Sequence, residues 1–261
     1  MNMQRWKTRV NLIGEELKVQ KEYGRIRMSQ YNSEYRKVVI EILHKGIKQK
    51  GRNGDTLLLP HYSFTIDDME NDHKLLLRKM YYKGILGEFK TFIDPTPLTN
   101  ISQLEANGCN YWKLWGGENG ELNVDYHNQL HPQLEDLIEG IKNDPNSRRH
   151  IINLWNHENV QNGVLSLPCC WYSHIYSVID GTLHMQWIQR SVDTMVGLPS
   201  DVYLAYLFMK HIAILTGLRV GSCMFSLSNV HIYTEHIDDA YELLQRHETD
   251  KDEPLKFLLK G

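Results

Sequence analysis

Apolar and polar residues alternate along two neighbouring runs in the second half of the chain, residues 172–179 and residues 183–190. This alternation is typical of β-strands that bury one face. Asp180 and Gly181 stand between the runs, and Asp-Gly is a strong signal for a two-residue hairpin turn. We therefore predict a β-hairpin whose two outer ends lie level with each other.

Three other stretches carry apolar residues at the spacing of an amphipathic helix. The first helix is predicted over residues 35–50 and the second over residues 75–89. A Gly-Leu-Pro-Ser-Asp break at residues 197–201 precedes the third helix, which Gly217 stops. Residues 94–110 hold several Pro, Asn and Gly residues, so we predict an irregular segment there.

The composition fits one folded domain. The chain has 261 residues, of which 41% are hydrophobic and 23% are charged, enough to bury one sizeable core. We expect a single domain over residues 35–261. Residues 1–34 are charged and weakly patterned, and we treat them as an N-terminal extension without an assigned role.

The formal net charge of −3 gives no sign of a surface for nucleic acid, so a bound phosphate would have to be held by local arginines. No apolar run approaches the ~20 residues that a membrane-spanning helix needs. The N-terminal sequence MNMQRWKTRV lacks the apolar core of a signal peptide. We therefore expect a cytoplasmic protein that has neither nucleic acid nor a membrane as a partner.

The four cysteines, at positions 109, 169, 170 and 223, show no C-x-x-C spacing, and this usage is typical of a reducing compartment. No set of Cys and His residues has the spacing of zinc ligands, so we expect no metal. Cys169 and Cys170 stand at the mouth of the predicted hairpin, and Arg190 stands at its far end. The hairpin would bring a thiol level with a guanidinium, which would lower the thiol pKa. Two buried cysteines that act as small hydrophobes remain the structural alternative.

Ordered motifs give the chain a resemblance to a known family. The run Q-R-S-x-D-x-x-x-G-L-P at residues 189–199, with a cysteine twenty residues before its arginine and H-x-Y at residues 231–233, resembles the thymidylate synthase family. Four further segments agree in order with its phosphate loop, glutamate helix, tryptophan segment and paired-arginine strand: RNGDT at 52–56, Gly87-Glu88, residues 111–120, and NDPNSRRHIINLWN at 143–156. The match covers roughly residues 35–250.

The resemblance implies an α/β (α+β) fold in which a large mixed β-sheet packs with helices, and a homodimer that forms sheet to sheet. It implies one-carbon transfer from 5,10-methylenetetrahydrofolate to C5 of a pyrimidine nucleotide, without a metal. The family nucleophile lies ten residues before the Asp-Gly turn, which selects Cys170. Pro168-Cys169 matches the family's usual Pro-Cys only superficially, and we read Cys169 as occupying the place of the proline. Trp171 replaces the usual histidine.

The resemblance also assigns binding roles. Glu88 would serve proton transfers through water, although a lone glutamate is usually solvated. Arg148 and Arg149 would cross the dimer interface to the partner's nucleotide phosphate, although two surface salt bridges are the simpler reading. The remaining assignments are Arg52, Arg190 and Ser191 at the phosphate, His231 and Tyr233 at the sugar 3′-hydroxyl, Tyr126, Trp112 and Trp115 around the nucleotide and folate, and Asp193 and Gly197 at the folate.

Asp201 departs from the thymidylate synthases, which have asparagine at this position. A carboxylate offers only acceptors, so it matches the amino group and protonated N3 of cytosine and is a poor partner for uracil O4. Family members with aspartate here are specific for deoxycytidylate, notably the bacteriophage deoxycytidylate hydroxymethylase. An N-cap for the helix that starts at Val202 is the compatible structural alternative.

The expected reaction is therefore 5-hydroxymethylation of deoxycytidylate, in the host cytoplasm if the protein comes from a bacteriophage. Only 28 residues follow Tyr233, fewer than the lid-forming tail of the synthases, so we expect water to reach the activated base. Three alternatives stay open: a 5-methyl-deoxycytidylate synthase, a thymidylate synthase or deoxyuridylate hydroxymethylase, and a catalytically silent nucleotide-binding homologue.

Overall fold

A mixed seven-stranded β-sheet organises residues 29–51 and 53–246, which are the residues that the computed structural model describes. The strand order is β1-β2-β7-β5-β4-β3, with β6 paired to β7. β5 and β6 run parallel to β7, and the other pairs are antiparallel. The strands are β1 (Ile47–Gly51), β2 (Gly54–Ile66), β3 (Ile151–Asn153), β4 (Trp171–Ile179), β5 (Thr182–Gln189), β6 (Val192–Asp193) and β7 (Arg219–Tyr233). The predicted α/β fold with a large mixed sheet is confirmed.

Helices connect and cover the strands. They are α1 (Gln30–Lys45), α2 (Tyr82–Ile93), α3 (Ile101–Ala106), α4 (Asp125–Asn128), α5 (Leu130–Asn143), α6 (His157–Gln161), α7 (Gly197–Thr216) and α8 (Ile237–Gln245), with 3-10 turns at Tyr111–Trp115 and Thr234–His236. The α1 helix packs on β2 and β7, and α7 packs on β5, β6 and β7. Their apolar side chains, including the fully buried Tyr31, Tyr35 and Phe208, form the core against one face of the sheet.

The predicted hairpin is present, formed by β4 and β5. Asp180 and Gly181 both have positive φ, 49° and 69°, as a type I′ turn requires. Antiparallel pairing places Trp171 opposite Gln189 at the other end of the hairpin. The backbone N–H of Arg190 donates to the carbonyl oxygen of Cys170 at 2.9 Å. The thiol and the arginine are therefore level, as predicted.

The predicted first helix is wrong at both ends. The α1 helix begins at Gln30, where Ser29 caps its N-terminus, and ends at Lys45. Residues 47–51 continue as strand β1 because they pair with β2 along the edge of the sheet. Residues 1–28 of the predicted N-terminal extension (residues 1–34) lie outside the described residues. Residues 30–34 belong to α1.

The second and third helices also differ from prediction. Leu75 and Leu77 are buried in a segment without regular secondary structure, and the helix starts only at Tyr82. Residues 197–201 are no break but the start of α7, because a proline in the first helical turn gives up an N–H that has no helical partner. The irregular segment contains α3, which a capping box at Asn100 and Gln103 starts.

The opposite face of the sheet is only half-covered by the described residues. It carries polar pairs between neighbouring strands, such as His184 with Ser222 at 2.8 Å and Gln186 with Ser226 at 2.9 Å. Apolar side chains lie among them, with Ile151 47% and Met224 40% exposed. An antiparallel sheet can leave one face in contact with water or with a partner.

His174 is a fully buried titratable group on β4. Its ring stacks on Trp187 at 4.3 Å between centroids, and burial lowers its pKa to about 3. The unfolded chain binds a proton at this position near pH 6.5, whereas the folded chain does not, so stability falls as pH drops below that value. Because of this residue, the free energy of unfolding should fall by up to ~1.4 kcal/mol for each unit by which the pH drops between about 6.5 and 3.

We expect His174→Gln, which cannot titrate, to flatten the pH dependence of the free energy of unfolding between pH 6.5 and 4.5. Urea denaturation at a series of pH values measures it. The matched control is His44→Gln, because His44 is exposed in the last turn of α1. An unchanged slope in His174→Gln would contradict this account.

Candidate active site

The two vicinal cysteines lie just before β4 in different environments. Cys169 is 1% exposed, and burial raises its pKa well above the ordinary thiol value. Cys170 is partly exposed, and its backbone N–H donates to the hydroxyl of Tyr126 at 2.5 Å. Of the two thiols, Cys170 is therefore the one that a small molecule can reach.

Arg190 braces this segment through its side chain. Its Nε donates to the carbonyl of Cys169 at 2.8 Å and its Nη2 to the carbonyl of Pro168 at 2.9 Å, while the guanidinium lies 5.6 Å from the ring centroid of Trp155. The charge of Arg190 and a hydrogen bond from Tyr126 favour the Cys170 thiolate. The predicted lowering of the thiol pKa is nevertheless wrong for the free chain, because burial outweighs both and raises the pKa of Cys170.

Asp201 faces the same space from the second turn of α7. Its Oδ2 accepts a hydrogen bond from Nε2 of Gln189 at 2.7 Å. Burial raises the pKa of Asp201 to about 7, against the effect of Gln189, and the charges of Glu88 and Asp193 raise it further. The alternative that Asp201 caps a helix is wrong, because α7 begins four residues earlier at Gly197 and its N-cap residue is Val196.

Glu88 lies on α2 with both oxygens occupied. Its Oε2 accepts from the hydroxyl of Tyr111 at 2.7 Å, and its Oε1 accepts from Nε1 of Trp112 at 2.6 Å. Burial raises the pKa of Glu88 to about 7, while the two hydrogen bonds lower it. The simpler reading of a solvated glutamate is wrong, since Glu88 is 8% exposed.

Asp193 and His231 are neighbours on paired strands β6 and β7. Oδ1 of Asp193 accepts the N–H groups of Met195 and Val196, and Oδ2 takes no hydrogen bond from the described residues. Burial raises the pKa of Asp193, and His231 opposes that shift. Gly197 separates Asp193 from Asp201, because a Cβ there would lie 4.0 Å from the Cβ of Asp193 and 3.7 Å from Oδ2 of Asp201.

His231 and Tyr233 lie within the last residues of β7 rather than after a strand, because pairing with β2 continues to Tyr233. Nδ1 of His231 is 2.8 Å from the carbonyl of Asn229, which can only accept, so Nδ1 donates to it. A hydrogen bond with Asn53 lowers the pKa of Tyr233, although burial raises it overall. The loop that carries Arg52 thus meets the end of β7; Arg52 itself lies outside the described residues.

Aromatic rings form the wall behind the thiol. The buried rings of Trp112 and Tyr126 meet edge to face at 5.8 Å, and Trp171 lies 4.6 Å from Tyr126. Trp115 packs on Trp112 at 5.2 Å and stays partly exposed. Trp171 lies in the core and is 3% exposed, so it contributes an apolar side chain rather than a group that could carry a proton.

Three predicted residues are not tied to this cluster within one chain. Arg148 and Arg149 are exposed just before β3 and have no carboxylate within 4.0 Å among residues 29–51 and 53–246, so the predicted surface salt bridges are wrong there. Ser191 lies between β5 and β6, next to Arg190, and makes no side-chain hydrogen bond in the described part of the chain.

Sequence reasoning gave no role to Gln189 or Tyr111. Alternation along β5 places Leu183, Met185, Trp187 and Gln189 on the buried face, and this signal could have pointed Gln189 inward. Its Oε1 is buried without a partner in the described structure. Tyr111 gave no such signal, because its contact with Glu88 joins residues 23 positions apart.

Among the described residues, no group of three or more His, Cys, Asp or Glu side chains could hold a metal ion. None of the helices in that part of the chain is long and apolar enough to cross a bilayer.

Comparison with known proteins identifies the family of this chain. Residues 33–258 match the family model described as thymidylate synthase. The chain belongs to the thymidylate synthase family. Its structure is similar to that of thermostable thymidylate synthase A from Bacillus subtilis, with a TM-score of 0.75 and 26% sequence identity over 83% of this chain and 84% of that one. The chemistry of this family is one-carbon transfer from methylenetetrahydrofolate to C5 of a pyrimidine nucleotide.

We predict that Cys170→Ser abolishes turnover, by at least ~10³-fold, because a hydroxyl is a far weaker nucleophile than a thiolate. Cys169→Ser should keep most activity, since its side chain faces the core. Mass spectrometry after incubation with a 5-fluoropyrimidine nucleotide and methylenetetrahydrofolate should find a covalent adduct on Cys170 only. Equal loss in the two variants, or an adduct on Cys169, would contradict the prediction.

Proposed function

We propose that the protein hydroxymethylates deoxycytidylate: dCMP, methylenetetrahydrofolate and water give 5-hydroxymethyl-dCMP and tetrahydrofolate. Cys170 Sγ adds to C6 of the base and makes C5 nucleophilic. Glu88, with a pKa near the working pH, moves protons through water at the pyrimidine. We propose that water rather than hydride adds to the one-carbon unit on C5, because Asp201 resembles the aspartate of the deoxycytidylate hydroxymethylases.

The single observation that carries the cytosine assignment is the hydrogen bond from Gln189 to Asp201. It occupies Oδ2 of the carboxyl group and leaves Oδ1 without a partner among the described residues. A carboxyl group held in this way can accept the amino group of cytosine, which uracil lacks. Its position beside Cys170 is supported by the effect of the Asp201 charge on the thiol.

The protonation of Asp201 strengthens the match to cytosine. Because burial raises its pKa to about 7, the side chain can share a proton with N3 of cytosine near neutral pH. Whichever partner holds the proton, N3 and the amino group of cytosine each form a hydrogen bond with the carboxyl group, one at Oδ1 and one at Oδ2, which can take a second hydrogen bond beside that from Gln189. The ionised carboxylate instead faces the lone pairs of uracil O4, and an unpaired buried polar group costs ~1–3 kcal/mol.

The folate side of the site fits the same reading. Methylenetetrahydrofolate would supply the one-carbon unit. Oδ2 of Asp193, free of hydrogen bonds from the described residues, can accept from the amino-pyrimidine edge of a pterin. Gly197 adds no side chain next to Asp193, and the partly exposed Trp115 beside Trp112 offers a flat apolar wall.

We further propose that the protein acts as a sheet-to-sheet homodimer. Ile151 and Met224 lie on the half-covered face of the sheet, which a second copy would bury. Arg148 and Arg149 lie at the start of β3, a strand at the edge of the same sheet. Free of ion pairs with described residues, they can join Arg190 and Arg52 of the partner around a phosphate dianion.

The base assignment predicts the behaviour of Asp201→Asn. Wild type should convert dCMP in preference to dUMP and release tetrahydrofolate, with the product carrying a hydroxymethyl group. The variant should shift the ratio of kcat/KM values toward dUMP by roughly 5- to 150-fold, because asparagine restores one donor at the base edge. Mass analysis of the nucleotide products and absorbance of the folate measure both quantities.

Two results would count against this proposal. Faster turnover of dUMP than of dCMP by wild type would refute the reading of Asp201. Stoichiometric dihydrofolate with dCMP would mean hydride transfer and a methyl product. The matched control is Asp238→Asn, a change at the start of α8 outside the site, which should leave the ratio unchanged.

The shared phosphate site predicts complementation. Cys170→Ser and Arg149→Ala should each be inactive alone, but a mixed dimer contains one intact site, made of the Cys170 of one subunit and the Arg149 of the other. Mixing the variants under subunit exchange should therefore restore up to about a quarter of wild-type activity, since about half of the dimers are mixed and each has one site. No recovery in dimers that are shown to be mixed would refute the shared site.

A further inference from the structure

Glu88 receives a hydrogen bond on each of its two oxygens from neighbouring residues of one 3-10 turn. Trp112 donates to Oε1 at 2.6 Å, and Tyr111 donates to Oε2 at 2.7 Å. An ionised carboxylate only accepts, so the Tyr111 hydroxyl must be the donor of this hydrogen bond. Burial and the charge of Glu88 raise the pKa of Tyr111, which keeps this hydroxyl protonated.

The backbone around Tyr111 is built to make this contact. Gly87 lets residues 107–109 lie against α2, because a Cβ there would clash with the carbonyl oxygen of Asn107. Asn107 is held to the same helix by a hydrogen bond to Oγ1 of Thr91 at 3.0 Å. Gly84, one helical turn before Glu88, leaves room for the Tyr111 ring, since a Cβ there would lie 3.1 Å from it.

We propose that Tyr111 is a positioning residue that fixes the Glu88 carboxylate and holds it in its ionised form beside the nucleotide. The inference rests on the proposed role of Glu88 in proton transfer. The two donors act against burial, which by itself drives Glu88 toward its neutral form. Without Tyr111, one oxygen would lose its protein donor and the carboxyl group would rotate more freely.

The test is Tyr111→Phe, which removes only the hydroxyl. Loss of a hydrogen bond to a charged group should raise the pKa of Glu88 by about one unit. The limb of the pH profile of kcat that belongs to Glu88 should move to higher pH by the same amount. On the acid side of this limb, the ionised fraction of Glu88 should be about tenfold smaller in Tyr111→Phe than in wild type. Well above the limb, the two fractions should be equal.

The titration of Glu88 can be measured directly, independently of the proposed reaction. Titration by ¹³C NMR of protein labelled at the glutamate carboxyl carbon follows Glu88, whose signal is assigned by its loss in Glu88→Gln. The matched control is Tyr82→Phe, because Tyr82 lies on the same helix and its hydroxyl donates to the carbonyl of Leu75 instead. Tyr82→Phe should leave the Glu88 titration in place.

An upward shift of the Glu88 titration in Tyr111→Phe alone supports the inference. An unchanged titration, or an equal shift in Tyr82→Phe, overturns it even if the enzyme hydroxymethylates dCMP as proposed. A shifted titration in a protein whose wild type converts neither dCMP nor dUMP would support the contact between Tyr111 and Glu88 while refuting the proposed function.

Discussion

The register of the β4–β5 hairpin is the constraint on which the rest of the site depends. Side chains alternate between the faces of a strand, so a slip of one residue would exchange the thiol that faces the site for the one that faces the core. The turn at Asp180 and Gly181 fixes that register, and the hydrogen bond from Arg190 to Cys170 holds its open end. Arg190 then braces the chain before Cys170 through two carbonyl groups.

Three carboxyl groups lie near enough for the charges of two of them to affect Asp201, and burial is the main cause of their shifted pKa values. Burial raises the pKa values of Glu88, Asp193 and Asp201, and the charges of Glu88 and Asp193 raise that of Asp201 further. Each carboxyl group is steadied by a different donor set: an indole and a phenol, two backbone N–H groups, and the amide of Gln189. Glu88 and Asp201, whose pKa values are raised to about 7, can exchange protons with a substrate near neutral pH without a large free-energy cost.

Much of the site could be predicted because the chemistry follows local order in the chain. The Asp-Gly turn, the spacing from Cys170 to Arg190 and the H-x-Y at the end of β7 are all local signals, and the structure brings these residues together. Helix boundaries were predicted less well. Leu75 and Leu77 were assigned to a helix but lie before it, in a segment without regular secondary structure, and Pro199 suggests a break inside the first turn of a helix.

The hairpin follows from neighbours along the chain, and motifs that survive in order carry the resemblance from which the mixed sheet was predicted and the reactive residues are proposed. The behaviour of these groups depends instead on how distant segments pack. Cys170 has a raised rather than a lowered pKa, since burial exceeds the effect of Arg190. Gln189 on Asp201 and Tyr111 on Glu88 are contacts between distant segments, and their pairing depends on how α2, α7 and the sheet pack together.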